Sequence, residues 1–267
     1  MEIFEIPKPD TLVDAEYVTL DVETSGTTAD CEVVEVAALR FRAGIVVEQL
    51  VTLIKPSRPV SSEAVSVHGL TTERPFRDGL PRSVVAKWLQ EFITEKDVVV
   101  AHYAEFDRNQ VRVLNDRRWC CTFRLAKHLW DDVPGGYSNV NLGSWLQLRD
   151  SVPDSTGVPH RAHFDAYLTG LVFRRALAAY QGLHPYATIQ EVVEFAKQPL
   201  DITRYHVGGK HYGTPIIELP DWVLRTALEQ ADLPRTQRAS WAHRLDADSV
   251  LALRREHARR TALEQVA

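Results

Sequence analysis

Three extended segments within the first 54 residues constrain the fold of this 267-residue chain more than any other feature. Residues 16–21, 32–42 and 45–54 are rich in apolar and β-branched side chains, which favour strands. The second and third segments flank Ala43-Gly44, a pair typical of tight turns, and so predict an antiparallel hairpin or meander. A sheet that begins in this way needs helices or another sheet to cover its faces.

Helical patterns after the strands supply that cover. The short apolar segment 98–101 predicts a buried strand. Helical spacing of apolar side chains, with Ser62 and Thr122 as candidate N-caps, predicts helices at these positions: 61–68, 81–93, 106–114, 122–130, 139–148 and 161–180. We therefore predict an α/β fold, with a mixed β-sheet flanked by helices.

A change of pattern near residue 200 predicts a domain boundary. Pro199 and Gly208-Gly209 interrupt the helical patterns. Beyond them the sequence predicts a hairpin and helices, which would make a small C-terminal α+β extension with a basic tail. The predicted domains are 1–198 and 199–267, and the second begins with a hairpin at 205–220 and a helix at 221–230.

Composition indicates an ordinary globular protein. Apolar residues make up 45% of the chain and charged residues 25%, which allows a sizeable core. Cys31, Cys120 and Cys121 form no C-x-x-C pair, which argues against a zinc ribbon and fits a reducing compartment. No apolar segment is long enough to cross a bilayer and no signal-peptide core follows residues 1–10. A soluble cytoplasmic protein without membrane partners is therefore expected.

Charge is distributed unevenly along the chain. The net charge is −5, which argues against coating of nucleic acid by electrostatics alone. Residues 235–260 nevertheless carry seven arginines against three acidic residues. These arginines either contact a phosphate backbone or form the solvated face of a terminal helix, and charge clusters are more often solvated faces.

Candidate catalytic side chains are carboxylates at the ends of predicted elements. Asp21 and Glu23 end the first strand two positions apart, so both project to one face, although such pairs are also common on solvated edges. Asp107 lies at a strand–helix junction, where a helix cap or a favourable interaction with the helix dipole is the alternative interpretation. Asp165 lies about one turn inside the longest helix, where a carboxylate among apolar neighbours is costly unless it is paired or binds a metal.

Together these four carboxylates indicate a site for two hard divalent cations, Mg²⁺ with Mn²⁺ as a substitute. Two such cations would balance the combined formal charge of −4, so that a phosphodiester could enter without net repulsion. His160 lies in a loop five positions before Asp165 and could accept a proton from an attacking water. A solvated loop histidine is the alternative interpretation of His160.

The three motifs resemble those of the DEDDh exonuclease superfamily, which includes the DnaQ-like proofreading subunit epsilon of DNA polymerase III. The matching residues lie within about 16–180, in this order: Asp21-x-Glu23-Thr24, His102-x-Ala104-x-Phe106-Asp107 and His160-x-x-x-x-Asp165-Ala166. The resemblance implies a ribonuclease H-like fold and binding of two metals by the four carboxylates. It also implies that His160, rather than His163, is the general base.

Within this superfamily the chain resembles the exodeoxyribonuclease X family. The similar segments are residues 121–139 and residues 207–213, which resemble an FGK-x-x-G hairpin of that family. Residues 67–71 also resemble a loop that lines the nucleotide pocket, although a plain turn explains them equally well. The resemblance implies substrate contacts from these residues: Val22, Thr24, Gly26, His68, Phe106, Ser138 and Lys210.

Two places depart from the family pattern. Tyr103 stands where the family usually has Asn. Thr27 and Thr28 stand where the exodeoxyribonuclease X family has a larger apolar side chain able to wedge a duplex end. Small hydroxyl residues are poorer wedges against stacked bases, so we expect a preference for single-stranded 3′ ends.

The expected function is a metal-dependent 3′→5′ exodeoxyribonuclease that releases nucleoside 5′-monophosphates from DNA 3′ ends. A role in DNA repair is implied by the resemblance alone, and the superfamily also allows a homodimer. RNA 3′-end trimming is one alternative, because the motifs do not distinguish the two sugars. A proofreading subunit of a polymerase complex is another. A non-catalytic module that retains the fold is a third, against which the intact set of five site residues argues.

Overall fold

The computed structural model describes residues 11–28, 30–207 and 209–264. The predicted absence of a signal peptide concerns residues 1–10 and lies outside these ranges. The chain divides into two compact units, Met1–Gln198 and Pro199–Ala267. None of the helices in the described ranges is long and apolar enough to cross a membrane.

The first unit contains one five-stranded sheet, whose strands are β1 (Tyr17–Thr24), β2 (Val33–Arg42), β3 (Ile45–Leu53), β4 (Val98–Ala101) and β5 (Arg118–Cys121). The spatial order is β3-β2-β1-β4-β5. The first three strands pair antiparallel, and Ala43 and Gly44 form the predicted turn with positive φ angles of 49° and 77°. The strands β4 and β5 continue the sheet in parallel to β1, so the sheet is mixed as predicted.

Helices pack on both faces of this sheet. The long helix α7 covers one face and α3 the other. The helices of the first unit are α1 (Ser62–His68), α2 (Glu73–Asp78), α3 (Arg82–Phe92), α4 (Ala104–Gln110), α5 (Thr122–Leu129), α6 (Asn139–Trp145), α7 (Ala162–Leu183) and α8 (Ile189–Lys197). This arrangement confirms the predicted α/β class.

Alternate residues of β1 face opposite sides of the sheet. Tyr17 packs in one apolar cluster with Phe173 of α7, with the two ring centroids 4.8 Å apart. Leu20 packs in another cluster with Leu89 of α3. Because side chains two apart share a face, the odd-numbered positions of β1 point towards α7. The Asp21 and Glu23 carboxylates at the end of this strand therefore lie on the side of the sheet that faces α7.

Several local predictions need correction. Strand β5 was not predicted, because it has only four residues and begins with Arg118, so no apolar pattern marks it. Ser61, not Ser62, caps α1, since its hydroxyl accepts a hydrogen bond from the Ala64 N–H at 3.2 Å. Thr122 is the first residue of α5 rather than its cap, and its hydroxyl donates to the Ala101 carbonyl at 3.3 Å. The α2 and α8 helices were also not predicted.

The second unit is largely helical, with α9 (Asp221–Asp232) and α10 (Ala247–Glu264) as its main elements. Within its described residues the predicted hairpin at 205–220 is reduced to one isolated antiparallel bridge between Arg204 and Pro215. The Tyr205 N–H donates to the Thr214 carbonyl at 2.9 Å and the Ile216 N–H donates to the Thr203 carbonyl at 2.8 Å, one on each side of this bridge. The described residues thus form a short hairpin-like pairing rather than two full strands.

The arginines of α10 engage in local ion pairs. Arg259 and Arg260 both bond the Glu256 carboxylate, at 2.7 Å in each case, and Arg254 bonds Asp232 at 2.5 Å. These pairs favour the interpretation of the basic tail as a charged helix face.

A pair of glycines in α7 tests how tightly the helix lies on the sheet. A Cβ at Gly170 would overlap the Phe41 ring, whereas a Cβ at Gly182 meets nothing within 4 Å. We expect Gly170→Ala to lower the free energy of unfolding by roughly 1–3 kcal/mol through overpacking. Gly182→Ala should leave it unchanged or raise it by up to about 1 kcal/mol. Urea unfolding of both variants checks this, and equal stabilities would contradict the close approach.

Candidate active site

The site lies at the carboxyl end of β1, where the strand meets the first turn of α7. Asp21 and Glu23 are half-buried on the α7 face of the strand, while Asp165 of α7 is 7% exposed. One carboxylate oxygen from each of these three residues lies within 4.8 Å of the others. The structure thus brings together three of the four predicted metal ligands from positions far apart in sequence.

Asp107 approaches the same strand from α4. Its side chain is 2% exposed, and Oδ1 accepts a hydrogen bond from the Val22 N–H at 3.2 Å. Among the described residues, Asp107 is outside the compact group of three, but its charge raises the pKa of Asp21. The helix-cap interpretation does not hold, because Asp107 lies inside the first turn and Tyr103 occupies the N-cap position.

The carboxylates repel one another in a poorly solvated place. Burial raises the pKa of Asp21 well above its ordinary value, and the charges of Asp107 and Asp165 raise it further. The pKa of Glu23 is raised to about 8, first by burial and then by the charges of Asp165 and Glu35. Burial also raises the pKa values of Asp107 and Asp165. Without a cation, these groups therefore hold protons at pH values where carboxylates are normally ionised.

These residues fit a divalent cation. Oδ1 of Asp165 is buried and has no hydrogen-bond partner among the described residues, whereas Oδ2 accepts the His160 N–H at 2.9 Å. A buried carboxylate oxygen without a partner is costly unless a cation satisfies it. The oxygen-only ligand set is the kind that Mg²⁺ and Mn²⁺ prefer.

Two histidines lie at the start of α7, and their surroundings differ. His160 is exposed, has a φ of 64°, and its backbone N–H is bound to Asp165. His163 is half-buried in the helix, where burial lowers its pKa. His160 is thus anchored through its backbone beside the carboxylates while its ring remains accessible to solvent.

A buried ion pair fixes this segment, and the sequence analysis did not detect it. Arg161 bonds the Glu35 carboxylate of β2 through two nitrogens, with Nε at 2.9 Å, and the Ala162 N–H also donates to Glu35 at 3.1 Å. Glu35 pairs directly with Glu23 across the β1–β2 ladder. The only sequence signal was one acidic residue among the apolar residues 33–39.

The predicted substrate-binding residues fall into different environments. The Val22 side chain is buried, and its N–H donates to Asp107. His68 is 6% exposed, its Nδ1 accepts the Leu70 N–H at 3.0 Å, and its Nε2 lies 3.1 Å from the Thr24 carbonyl. Both ring nitrogens are engaged, so His68 holds the end of β1 in this structure.

The remaining predicted contacts lie on accessible surfaces or in the second unit. Gly26 lines a cleft with Ser61, and Phe106 of α4 is 45% exposed. Ser138 caps α6, its hydroxyl accepting from the Asn141 N–H at 3.3 Å. Lys210 is an exposed residue of the second unit. Substrate contact by any of these residues stays a prediction.

Comparison with known proteins identifies the class. A family model described as Exonuclease, the RNase T family, matches residues 18–173. The match spans more than half of the chain, which therefore belongs to this exonuclease family. The resemblance to DEDD exonucleases and the ribonuclease H-like, DnaQ-type fold are thereby confirmed.

Individual relatives share this part of the chain. Exodeoxyribonuclease 10 of Escherichia coli K12 is 32% identical over 157 residues, covering 56% of this chain and 63% of the relative. DNA polymerase III PolC-type of Thermotoga maritima is 32% identical over 180 residues, covering 62% of this chain and 12% of that protein. The chain thus matches less than two thirds of the length of either relative.

Solved structures agree with the fold. Exonuclease X in complex with 5′ overhanging duplex DNA superposes with a TM-score of 0.52 and 28% identity, over 67% of this chain and 99% of that one. Exonuclease I of E. coli, in complex with a dT13 oligonucleotide, gives a TM-score of 0.53 and 18% identity, over 64% and 43%.

The raised carboxylate pKa values predict how stability depends on pH in EDTA. Because the folded-state pKa of Glu23 is about 8 against an ordinary 4.5, ionisation of Glu23 destabilises the folded state increasingly as pH rises between these values. In Glu23→Gln this cost is absent. We expect the variant to exceed wild type in unfolding free energy by roughly 1–3 kcal/mol at pH 8.

Urea titrations in EDTA at pH 5 and pH 8 measure this difference, which should shrink at the lower pH. Addition of Mg²⁺ at pH 8 should stabilise wild type more than Glu23→Gln. Equal stability of the two proteins at pH 8 in EDTA would show that Glu23 carries no such ionisation cost.

Proposed function

We propose that this protein is a divalent-metal-dependent 3′→5′ exodeoxyribonuclease that releases nucleoside 5′-monophosphates from DNA 3′ ends. The observation that carries the proposal is the convergence of Asp21, Glu23 and Asp165 within 4.8 Å, with Asp107 bonded to the same strand. Membership of the exonuclease family supports the reaction class. The proposal for DNA rests on similarity to a protein named exodeoxyribonuclease 10.

Asp21, Glu23, Asp107 and Asp165 would hold the metal ions. Two bound Mg²⁺ ions would supply activation of the attacking water and stabilisation of the leaving oxygen. The chain's own contribution is to concentrate negative charge in one poorly solvated place and to position His160. We assign the role of general base to His160, whose ring is exposed to solvent beside Asp165 and is suited to accept the proton of the attacking water.

Three other roles bear on this proposal: DNA repair, RNA trimming and proofreading. A place in DNA repair would follow if DNA 3′ ends are the substrate in the cell. RNA trimming uses the same four carboxylates, so the sugar must be tested directly. The similarity to DNA polymerase III PolC-type keeps a proofreading role as a second candidate.

The first test is degradation of 5′-labelled single-stranded DNA and matched RNA in Mg²⁺ or EDTA. We expect a Mg²⁺-dependent 3′→5′ ladder on DNA. Asp107→Ala and His160→Ala should lower the rate by at least about 100-fold, since each removes a ligand or a general base. His163→Ala is the matched control and should retain most activity.

Three results would change the proposal. A ladder chiefly on RNA would move the function to RNA trimming with the same mechanism. No degradation of either polymer by folded wild-type protein would overturn the stand-alone enzyme. Full activity of His160→Ala with loss in His163→Ala would exchange the roles of the two histidines.

Strand preference follows from the loop after β1. Thr27 and Thr28 are exposed and small, so they offer no apolar wedge to separate a terminal base pair. We expect blunt duplex DNA to be degraded more slowly than single strands, by about ten-fold or more. Initial rates on matched substrates measure this ratio, and Thr28→Leu should reduce it. Equal rates on the two wild-type substrates would contradict the argument.

A further inference from the structure

An exposed aromatic residue begins the helix that carries Asp107, and the proposed mechanism does not use it. Tyr103 occupies the N-cap of α4, four positions before Asp107. It is 51% exposed, and its backbone is left-handed, with φ 59° and ψ 44°. Bulky side chains rarely adopt this conformation, and non-glycine residues held in it cluster at functional sites.

The Tyr103 ring is held in place by a second aromatic ring. It stacks on Phe123 of α5 with centroids 4.2 Å apart and an interplanar angle of 25°. The His102 ring meets both from the edge, at 5.0 Å and 6.1 Å. Phe123 covers one face of the Tyr103 ring, and about half of the Tyr103 surface remains open to solvent.

A positively charged side chain lies beside Phe123 and Tyr137. Nζ of Lys127, one helical turn beyond Phe123, lies 5.4 Å from the Phe123 centroid and 5.5 Å from that of Tyr137. The Tyr137 ring in turn meets Phe123 edge-on at 6.3 Å. Aromatic faces beside a positive charge are the elements by which proteins hold single-stranded nucleic acid, with bases on the rings and phosphates near the cations.

We propose that Tyr103, stacked on Phe123, is a base-stacking platform for a nucleotide of the substrate strand. The inference rests on the proposed exonuclease function and deepens it by assigning a binding subsite. A nucleobase is the occupant that the observations favour, because the platform begins the same helix that carries Asp107. Residues four positions apart on a helix lie on the same face, so a base on Tyr103 would belong to a strand whose 3′ end lies near Asp107.

The left-handed backbone at Tyr103 makes Asn a suitable replacement for a test of this platform. Asn tolerates the left-handed conformation far better than Tyr, so Tyr103→Asn removes the ring while it relieves the backbone. Loss of the stacking contact and relief of strain oppose one another, so the melting temperature should stay within about 3 °C of wild type. A change in substrate binding is then not attributable to unfolding.

A matched control is available on the same unit. Tyr186 is 85% exposed and follows the carboxyl end of α7. Asp165 lies in the first turn of that helix, and at a rise of 1.5 Å per residue the helix extends about 27 Å from Asp165 to its last residue, Leu183, three positions before Tyr186. Tyr186→Ala removes an exposed tyrosine ring without approaching the carboxylates.

The experiment uses the full chain in Mg²⁺ with a fluorescein-labelled 12-nucleotide DNA strand whose 3′-terminal linkages are phosphorothioates that resist cleavage. Fluorescence anisotropy gives the Kd of wild type, Tyr103→Asn, Tyr103→Phe and Tyr186→Ala. We expect Tyr103→Asn to weaken binding by about 5- to 100-fold, the range for loss of one stacked base. Tyr103→Phe and Tyr186→Ala should stay within about two-fold of wild type.

A series of strands with one abasic site at successive positions from the 3′ end locates the stacked base. For wild type, one position should cause a loss of affinity like that of Tyr103→Asn. In Tyr103→Asn the abasic site at that position should cause little further loss, because the ring and the base form one contact. Equal losses from that abasic site in both proteins would overturn the platform.

Two substrates distinguish failure of the stacking platform from failure of the exonuclease function. They are the unmodified 12-mer and the p-nitrophenyl ester of thymidine 5′-monophosphate. If wild type cleaves neither substrate, both the exonuclease and its platform are overturned. If wild type cleaves both, and Tyr103→Asn binds the 12-mer with wild-type Kd, only the platform is overturned. A fall in kcat/KM on the 12-mer that exceeds the fall on the ester, chiefly through KM, supports it.

Discussion

The close contact between α7 and the sheet determines where the site can form. The Tyr17 hydroxyl donates to the Gly170 carbonyl at 2.9 Å, and the absence of a side chain at Gly170 lets the Phe41 ring lie against the helix backbone. This contact sets the height of α7 above β1. The first turn of the same helix then places Asp165 against the carboxyl end of the strand. The arrangement of the carboxylates is therefore a consequence of core packing several residues away.

That packing brings like charges together, and neighbouring groups reduce the resulting repulsion among the carboxylates. The raised pKa values of Asp21 and Glu23 express the cost of placing carboxylates near one another with little solvent. Part of the cost is offset by Arg161, whose charge lowers the pKa of Glu23 while its guanidinium pairs with Glu35. Bound divalent cations would offset the remainder, so stability and metal affinity are coupled at this site.

The motif residues and the α/β class were predictable because each depends on local pattern. Strand periodicity put Asp21 and Glu23 on one face, and a helical segment carried Asp165. Pairings between distant segments were not predictable: Glu35 and Arg161 are 126 residues apart, and only the fold shows that they meet. Short elements such as β5 were missed because four residues carry too little pattern. The roles assigned to individual site residues remain predictions.

The two helices that bring carboxylates to β1, α4 and α7, each follow a residue with a left-handed backbone conformation. Tyr103 directly precedes α4, and His160 lies two residues before the first residue of α7. Both have positive φ angles, 59° for Tyr103 and 64° for His160. A left-handed residue turns the chain sharply, so the following helix can point its first turn at the strand end. Such a backbone is unfavourable for a bulky aromatic residue, whereas His adopts it more often than most residues. Since Asn or Gly would turn the chain with less strain, the aromatic and imidazole rings at these positions call for a reason beyond the turn itself. The proposed roles supply one, namely base stacking for Tyr103 and acceptance of a proton for His160.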